Sequence, residues 1–271
     1  MQLKGKTVLI TGGTAGIGLE AAKQFLANGA NVIVTGRNQA KLDAAKNLYP
    51  ALTAIKSDAA SADDAQSLLD QIKQLGSIDI LYNNAGVITT PLNLGVANKK
   101  HLEEAEYEIN INYLGVIRLN NLFIDMLKSR KEAAIINTTS IVSYVPFLLE
   151  PTYAASKVAL RFYTESLRKH LQIVDSSVKV FELLPPLVAT DMAAGLDAKA
   201  ITPETLVKAL IRGIKKDQLT IRVGDTKLIY ILNRLFPKIA FNILNPKKSL
   251  GAISPLKNAG PVAAIESYKA S

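Results

Sequence analysis

The chain has 271 residues, of which 48% are apolar, 20% are charged and none is cysteine. That content suits one large α/β domain and excludes a disordered chain. It also excludes a disulfide scaffold, a thiol nucleophile and a Cys-ligated metal. The net charge of +9 sits wholly in residues 199–271, because residues 1–198 carry equal numbers of basic and acidic side chains; this is a neutral body with a basic extension, not a nucleic-acid groove.

Taken in chain order, short apolar runs alternate with amphipathic stretches. Thr7–Thr11 reads as a buried strand and residues 16–27 as a helix. Residues 31–35, 52–56 and 78–82 read as strands, with helices over 39–48 and 62–75. Residues 100–130 form one long helical stretch, 133–139 a strand, 152–173 a helix and 178–184 a strand. Near-continuous apolar strands alternating with helices imply a parallel sheet covered on both faces, with ligands bound beyond the carboxyl ends of the strands. After Pro185-Pro186 come a loop-like segment to Ala200, a helix over 203–216, a short strand near 219–223, and the apolar run 227–244 interrupted by Arg234, Pro237 and Lys238. That run falls short of the roughly 20 uninterrupted apolar residues a membrane crossing needs. Two readings of it stand: a helix packed on the sheet or over a pocket, and a surface helix meeting lipid head groups or a partner through its basic residues. The expected division is 1–226 as dinucleotide-binding and catalytic domain and 227–271 as a basic apolar extension packed on or near it. No export-signal pattern precedes Thr7, so the expected location is the cytoplasm.

Thr11–Gly18 reads T-G-G-T-A-G-I-G between a predicted strand and helix. Gly12, Gly16 and Gly18 are spaced for a tight turn, close approach to a pyrophosphate and close helix–strand packing. The helix N-terminus then directs free N–H groups at anionic oxygens. The second strand runs into Gly36-Arg37. An NAD-selective site places a carboxylate near this point; a guanidinium instead suits a 2′-phosphate, so NADP(H) is expected over NAD(H), which remains possible.

Tyr153 and Lys157 stand four apart on a predicted helix, on one face, and Tyr153 is the only tyrosine with lysine at that offset. A nearby ammonium favours a phenolate and lowers the Tyr pKa toward the working pH, so that the phenol can exchange a proton with a carbonyl or alcohol oxygen. Ser140 follows a predicted strand end, where a hydroxyl could bind a substrate oxygen. Asn112 lies within the long helical stretch.

With these pieces in place the chain resembles the short-chain dehydrogenase/reductase family over about residues 5–192. The matching motifs are Thr11-Gly12-x-x-x-Gly16-x-Gly18, Asn83-Asn84-Ala85-Gly86, Asn112-x-x-Gly115, Ser140 and Tyr153-x-x-x-Lys157. The resemblance implies a single-domain Rossmann-like sheet of about seven strands in the order 3-2-1-4-5-6-7. It implies a catalytic tetrad of Asn112, Ser140, Tyr153 and Lys157. Tyr153 would be general acid/base; Lys157 would bond the nicotinamide ribose. Ser140 would orient the carbonyl, and Asn112 would hold a relay water. Asp58 would contact adenine and Thr190 the nicotinamide amide, while Thr14, Ile17, Asn84 and Val188 would line the cofactor. A small carbonyl or alcohol substrate and a homodimer or homotetramer are likewise implied. The chain departs from the family pattern at Pro185-Pro186, where Pro-Gly is common; at Ser57-Asp58-Ala59; and in its basic C-terminal extension. The Leu183–Thr190 stretch and that extension resemble the DltE-like subgroup.

Tyr144, Phe147 and Leu148 either line an apolar substrate pocket or fill a loop core, and Met192 is a further candidate substrate contact; Met192 and Leu196 are also candidates for a lid. His101 and His170 read as structural or solvated, and the Glu103, Glu104, Glu106, Glu108 cluster as a solvated helix face; no metal site is expected. Two other functions compete with the NADP(H)-dependent oxidoreductase: a non-catalytic NADP(H)-binding sensor, and a membrane-peripheral interaction protein using the C-terminal helix.

Overall fold

A computed structural model describes residues 1–89, 91, 93–193 and 200–253. Seven parallel strands form its sheet: β1 Thr7–Ile10, β2 Asn31–Gly36, β3 Thr53–Lys56, β4 Ile80–Asn83, β5 Ala134–Thr138, β6 Lys179–Leu184 and β7 Thr220–Arg222. Their order is β3-β2-β1-β4-β5-β6-β7, as the sequence motifs imply. The strands are short and apolar because both faces are covered. Along β1 the two-residue period sends Val8 and Ile10 to one face and Leu9 to the other. Val8 and Ile10 pack with Phe25 of α1 (Gly16–Ala27) and Leu206 and Leu210 of α7 (Pro203–Lys215). Leu9 packs with Leu68 of α3 (Ala62–Leu75) and Phe123 of α5 (Gly115–Lys128). The strand order reverses between β2 and β4, on either side of β1, and such a switch point opens a crevice above the carboxyl edge.

Helix α2 (Gln39–Leu48) covers the other end of the sheet. The expected continuous helix over 100–130 is instead α4 (Lys100–Ile109) and α5, joined by a π-helical turn over Asn110–Leu114. Such a turn inserts one residue into the helix and rotates the next turns about the axis, and it places Asn112 fully buried at the join. The expected helix 152–173 is α6 (Pro151–Ile173), opened by a proline whose fixed φ suits a first helical position.

The extension also differs from a single helix. It is α8 (Thr226–Leu235) and α9 (Pro237–Leu244), broken at Phe236 where Pro237 removes the N–H that would continue the ladder. Ile229 and Ala240 from this pair are buried with Ile141, Val142 and Val145 of the segment after β5. Asn233 donates to the Tyr144 carbonyl (2.8 Å), and Asn245 donates to that of Pro146 (2.9 Å) while accepting from the Leu148 N–H (2.8 Å). The two helices therefore brace the segment joining Ser140 to Tyr153. Among the described residues no helix is long and apolar enough to cross a membrane. Leu196 and residues 254–271 of the extension lie outside the described residues.

Candidate active site

The glycine-rich loop turns as its spacing predicts. Gly12 and Gly16 hold φ of +63° and +51°, the left-handed region that glycine adopts without strain. Gly18 is required for a different reason, because a Cβ there would lie 2.2 Å from the Gly12 carbonyl oxygen. Helix α1 begins with no side-chain cap and no acidic residue in its first turn. An uncapped N-terminus beside a glycine cradle has the donors and the dipole for a dinucleotide phosphate. Asn84 donates to the Thr11 (3.1 Å) and Gly12 (3.3 Å) carbonyls, while the Thr11 hydroxyl accepts from the Asn84 and Ala85 N–H groups. The loops after β1 and β4 are thereby locked together. Thr190, on the loop after β6, packs its methyl against Gly16, and Val188 is buried in an isolated bridge with Ile201. Ile17 packs partly buried against the core, and Thr14 lies against Gly36.

Arg37 emerges exposed at the end of β2 and is met by Tyr107 of α4, whose hydroxyl it bonds and whose ring lies 5.9 Å away. Nothing in the local sequence marks that partner. The Tyr107 hydroxyl raises the Arg37 pKa, and the charge of Asp58 adds to the rise. Asp58 itself accepts from the Ala60 N–H (2.9 Å).

At the carboxyl edge of β5, Ser140 caps the short 3₁₀ turn Ile141–Ser143, and its hydroxyl stands near enough to the Tyr153 phenol to pull the phenol's pKa down. Lys157 is buried, donates to the Thr138 carbonyl (3.0 Å) and lies 5.6 Å from the centre of the Tyr153 ring. Ser140, Tyr153 and Lys157 are thus brought together. Asn112 joins them at one remove. Its amide donates to the Val87 carbonyl (2.9 Å) and the Ser156 hydroxyl (3.0 Å), and its oxygen accepts from the Val87 N–H (2.8 Å). Both amide hydrogens are committed, leaving one lone pair on Oδ1. A Cβ on Gly86 would sit 3.2 Å from that oxygen and 3.4 Å from the Lys157 ammonium, so the loop passes close against both. Ser156 carries no signal of its own in the sequence although it lies beside Lys157. It accepts from Asn112 and donates to the Tyr153 carbonyl (2.7 Å).

The acidic cluster corrects the expectation of a solvated face. Glu103 and Glu106 are exposed, but Glu104 is half-buried and Glu108 is fully buried. Residues 104, 108 and 112 recur every four positions, and that stripe turns inward because α4 packs on α6. Glu108 accepts from the Thr89 N–H (2.8 Å) and hydroxyl (3.0 Å), while its second oxygen is buried without a partner among the described residues. Burial pushes the Glu150 carboxyl, at the N-cap of α6, up to about 8, and the charges of Glu108 and Glu104 push the same way. Burial lowers Lys157 to about 8 against the opposing pull of Glu108.

The Tyr153 phenol is not depressed as expected. Burial pushes it up to about 12; the Ser140 hydrogen bond opposes this, and Glu108 and Glu150 add to it. Lys157 lies beside the ring rather than bonding the hydroxyl, so its charge does not offset the desolvation.

A carboxyl raised in this way stabilises the fold fully below its unfolded pKa, and the contribution fades as pH climbs through about 8. Glu150→Gln stays neutral throughout. Its melting temperature relative to the wild type should therefore rise between pH 5 and pH 9 by roughly 6–12 °C, on the order of 3 kcal/mol. Thermal unfolding at the two pH values checks this; a pH-independent difference would remove the buried-carboxyl account.

Tyr144 is buried, with its hydroxyl accepting from Arg222 (2.9 Å) and its ring 4.5 Å from the Arg161 guanidinium. With Tyr230 also 5.2 Å from its ring, it sits in the core of the segment after β5. Met192 is 48% exposed beyond β6. His170 is exposed in the last turn of α6 and His101 half-buried in α4. Among the described residues no cluster of His, Asp and Glu could hold a metal.

The profile of the short chain dehydrogenase family matches residues 6–200. An uncharacterised oxidoreductase, DltE, of Bacillus subtilis (strain 168) is 35% identical over 226 residues, covering 80% of this chain and 87% of the relative. Two solved structures share the fold. A short chain dehydrogenase from Burkholderia cenocepacia J2315 in complex with NADP has TM-score 0.79 and 24% identity, covering 90% of this chain and 99% of that one. A short chain dehydrogenase/reductase from Burkholderia phymatum in complex with NAD has TM-score 0.78 and 19% identity, covering 89% and 97%. The chain thus belongs to the short-chain dehydrogenase/reductase family, in its DltE-like branch, and is an oxidoreductase of alcohol and carbonyl groups.

Proposed function

We propose that the protein is an NADP(H)-dependent reductase of small carbonyl compounds, and dehydrogenase of the matching alcohols, with Tyr153 exchanging the proton. The observation that carries this is the nearness of the Tyr153 phenol to Ser140 and of its ring to the buried Lys157 ammonium, 5.6 Å away, in a chain whose glycine loop leads into the uncapped end of α1. The glycine cradle and that helix end fit a dinucleotide, which supplies the hydride when bound. Ser140 orients the carbonyl oxygen. A phenol near 12 is protonated at neutral pH and so stands ready to donate to that oxygen during reduction. Lys157, charged below about 8, has donors beyond the one given to the Thr138 carbonyl with which to hold the ribose hydroxyls. Asn112 positions the Val87 segment and α6, and a relay water could donate only to its Oδ1. A non-catalytic sensor would have no use for the Ser140–Tyr153 contact. NADPH oxidation against a panel of aldehydes and ketones tests the proposal; tight cofactor binding without turnover on any of them would favour the sensor.

Arg37 is the basis for NADP(H) over NAD(H), since it is exposed where a 2′-phosphate would lie and can release Tyr107 to grip it. Arg37→Glu should weaken NADPH binding about 10- to 100-fold, a charge-assisted contact being worth roughly 1.5–3 kcal/mol. NADH binding should hold or improve. Titration of both cofactors checks it; unchanged NADPH affinity would end the assignment.

A further inference from the structure

The outer side of the C-terminal helix pair is apolar and, among the described residues, uncovered. On α8, Leu228, Ile231 and Leu235 are 54%, 42% and 65% exposed, at spacings that put them on one face. Phe236 at the break and Ile239 and Ile243 of α9 are likewise each at least 50% exposed. The opposite faces of the same helices hold Ile229 and Ala240 in the core, so the exposed side is not left over from poor packing. Six large apolar side chains exposed on one packed helix pair mark an interaction site.

The charge around it selects the partner. Between Asp225 and Glu266 the sequence contains no acidic residue, while Lys227, Arg234, Lys238, Lys247 and Lys248 fall within residues 226–253. Lys227, Arg234 and Lys238 are exposed on the same two helices as the apolar side chains. Apolar residues flanked by lysine and arginine are the composition of a helix lying in a membrane interface, with aliphatic groups at the acyl boundary and cations at anionic head groups. A second copy of this chain would bring the same positive charge against itself unless acidic residues from elsewhere met it. The helices total 18 residues in two pieces, and neither can cross a bilayer. We infer that the α8–α9 face docks the protein peripherally on an anionic membrane surface. Because Asn233 and Asn245 tie the pair to Tyr144, Pro146 and Leu148, a docked chain sets the segment between Ser140 and Tyr153 close to the lipid.

Flotation of the full chain with vesicles of phosphatidylcholine, alone or mixed with phosphatidylglycerol, tests this without reference to turnover, so its outcome is separate from that of the proposed reaction. Binding should be confined to the anionic vesicles and fall as salt is raised. Each cation near the surface contributes roughly fivefold to partitioning; the Lys227→Glu/Lys238→Glu variant should therefore lose well over tenfold. Leu235→Ser/Ile239→Ser should lose about as much, with melting temperature unchanged because both side chains are exposed. Absence of flotation with anionic vesicles overturns the inference, as does flotation that neither variant alters. Sedimentation of the same proteins without lipid provides the other arm: a wild-type oligomer that the apolar variant dissociates, with no vesicle binding, assigns the face to a second copy instead.

Discussion

Tyr153→Phe should lower carbonyl turnover by roughly a thousandfold while leaving NADPH binding within about twofold, since a positioned acid/base contributes about 10²–10⁴. The substitution removes one oxygen and keeps the ring. The ring packs partly buried in the cluster formed by the post-β5 segment and α8–α9, so the volume there is preserved. What is lost is the hydroxyl that meets Ser140, the contact through which the site can deliver a proton to a substrate oxygen held there. A thousandfold is about 4 kcal/mol of transition-state stabilisation, more than a positioning hydrogen bond supplies on its own. Steady-state NADPH oxidation with a responsive aldehyde or ketone, alongside cofactor titration, separates chemistry from binding. If the variant retained more than about a tenth of wild-type turnover, proton transfer would have to be assigned elsewhere. Lys157→Met makes the companion case. It should lose turnover and cofactor affinity together, because the ammonium faces both the phenol ring and the Gly86 loop.

The contrast between these residues and their supports shows what sequence patterns carry. The alternation of strands and helices, the glycine turn and the Tyr153–Lys157 face are set by local spacing, which a chain displays whatever it packs against; the strand order comes from the family resemblance of the motifs. The π turn at Asn110–Leu114 was not legible, because one inserted residue shifts the phase of the pattern between α4 and α5 but leaves the helical period within each unchanged. Nor was the inward stripe of Glu104 and Glu108. Carboxylates on a helix read as solvated until the neighbouring helix is known, and only their four-residue spacing from Asn112 hinted otherwise. The amide network beneath the site was equally hidden. Asn83 donates to Asn120 (2.8 Å) and Asn137 (2.9 Å), and Asn137 donates to Thr164 (2.9 Å). These partners lie far apart in the chain and meet only across the sheet and the helices on it. The break at Pro237 was visible as a residue, but that the two halves would brace the segment after Ser140 depends on Asn233 and Asn245 finding its carbonyls.

Gly18→Ala should cost both stability and cofactor binding from a single methyl group. A Cβ at position 18 would lie 2.2 Å from the Gly12 carbonyl oxygen and 2.6 Å from the Asn84 amide nitrogen. Neither neighbour is a flexible side-chain end that can swing aside. The Gly12 oxygen belongs to a turn held at φ +63°, and the Asn84 nitrogen is bonded to the Thr11 and Gly12 carbonyls. Relief requires α1 to move away from β1, or the loop after β4 to release. That loop continues into Gly86, between Asn112 and Lys157, so the strain passes to the catalytic groups. Overpacking of this kind costs about 1–3 kcal/mol, or roughly 3–10 °C in melting temperature for a chain of this size. NADPH affinity should fall more than tenfold as the helix N-terminus is displaced from the phosphate position. Gly251→Ala, where a Cβ would meet nothing within 4 Å, serves as the control and should change neither quantity. Thermal unfolding and NADPH titration of the two variants decide it: if Gly18→Ala melted and bound like the wild type, the close contact between α1 and the β1 and β4 loops would not be what holds the cradle in shape.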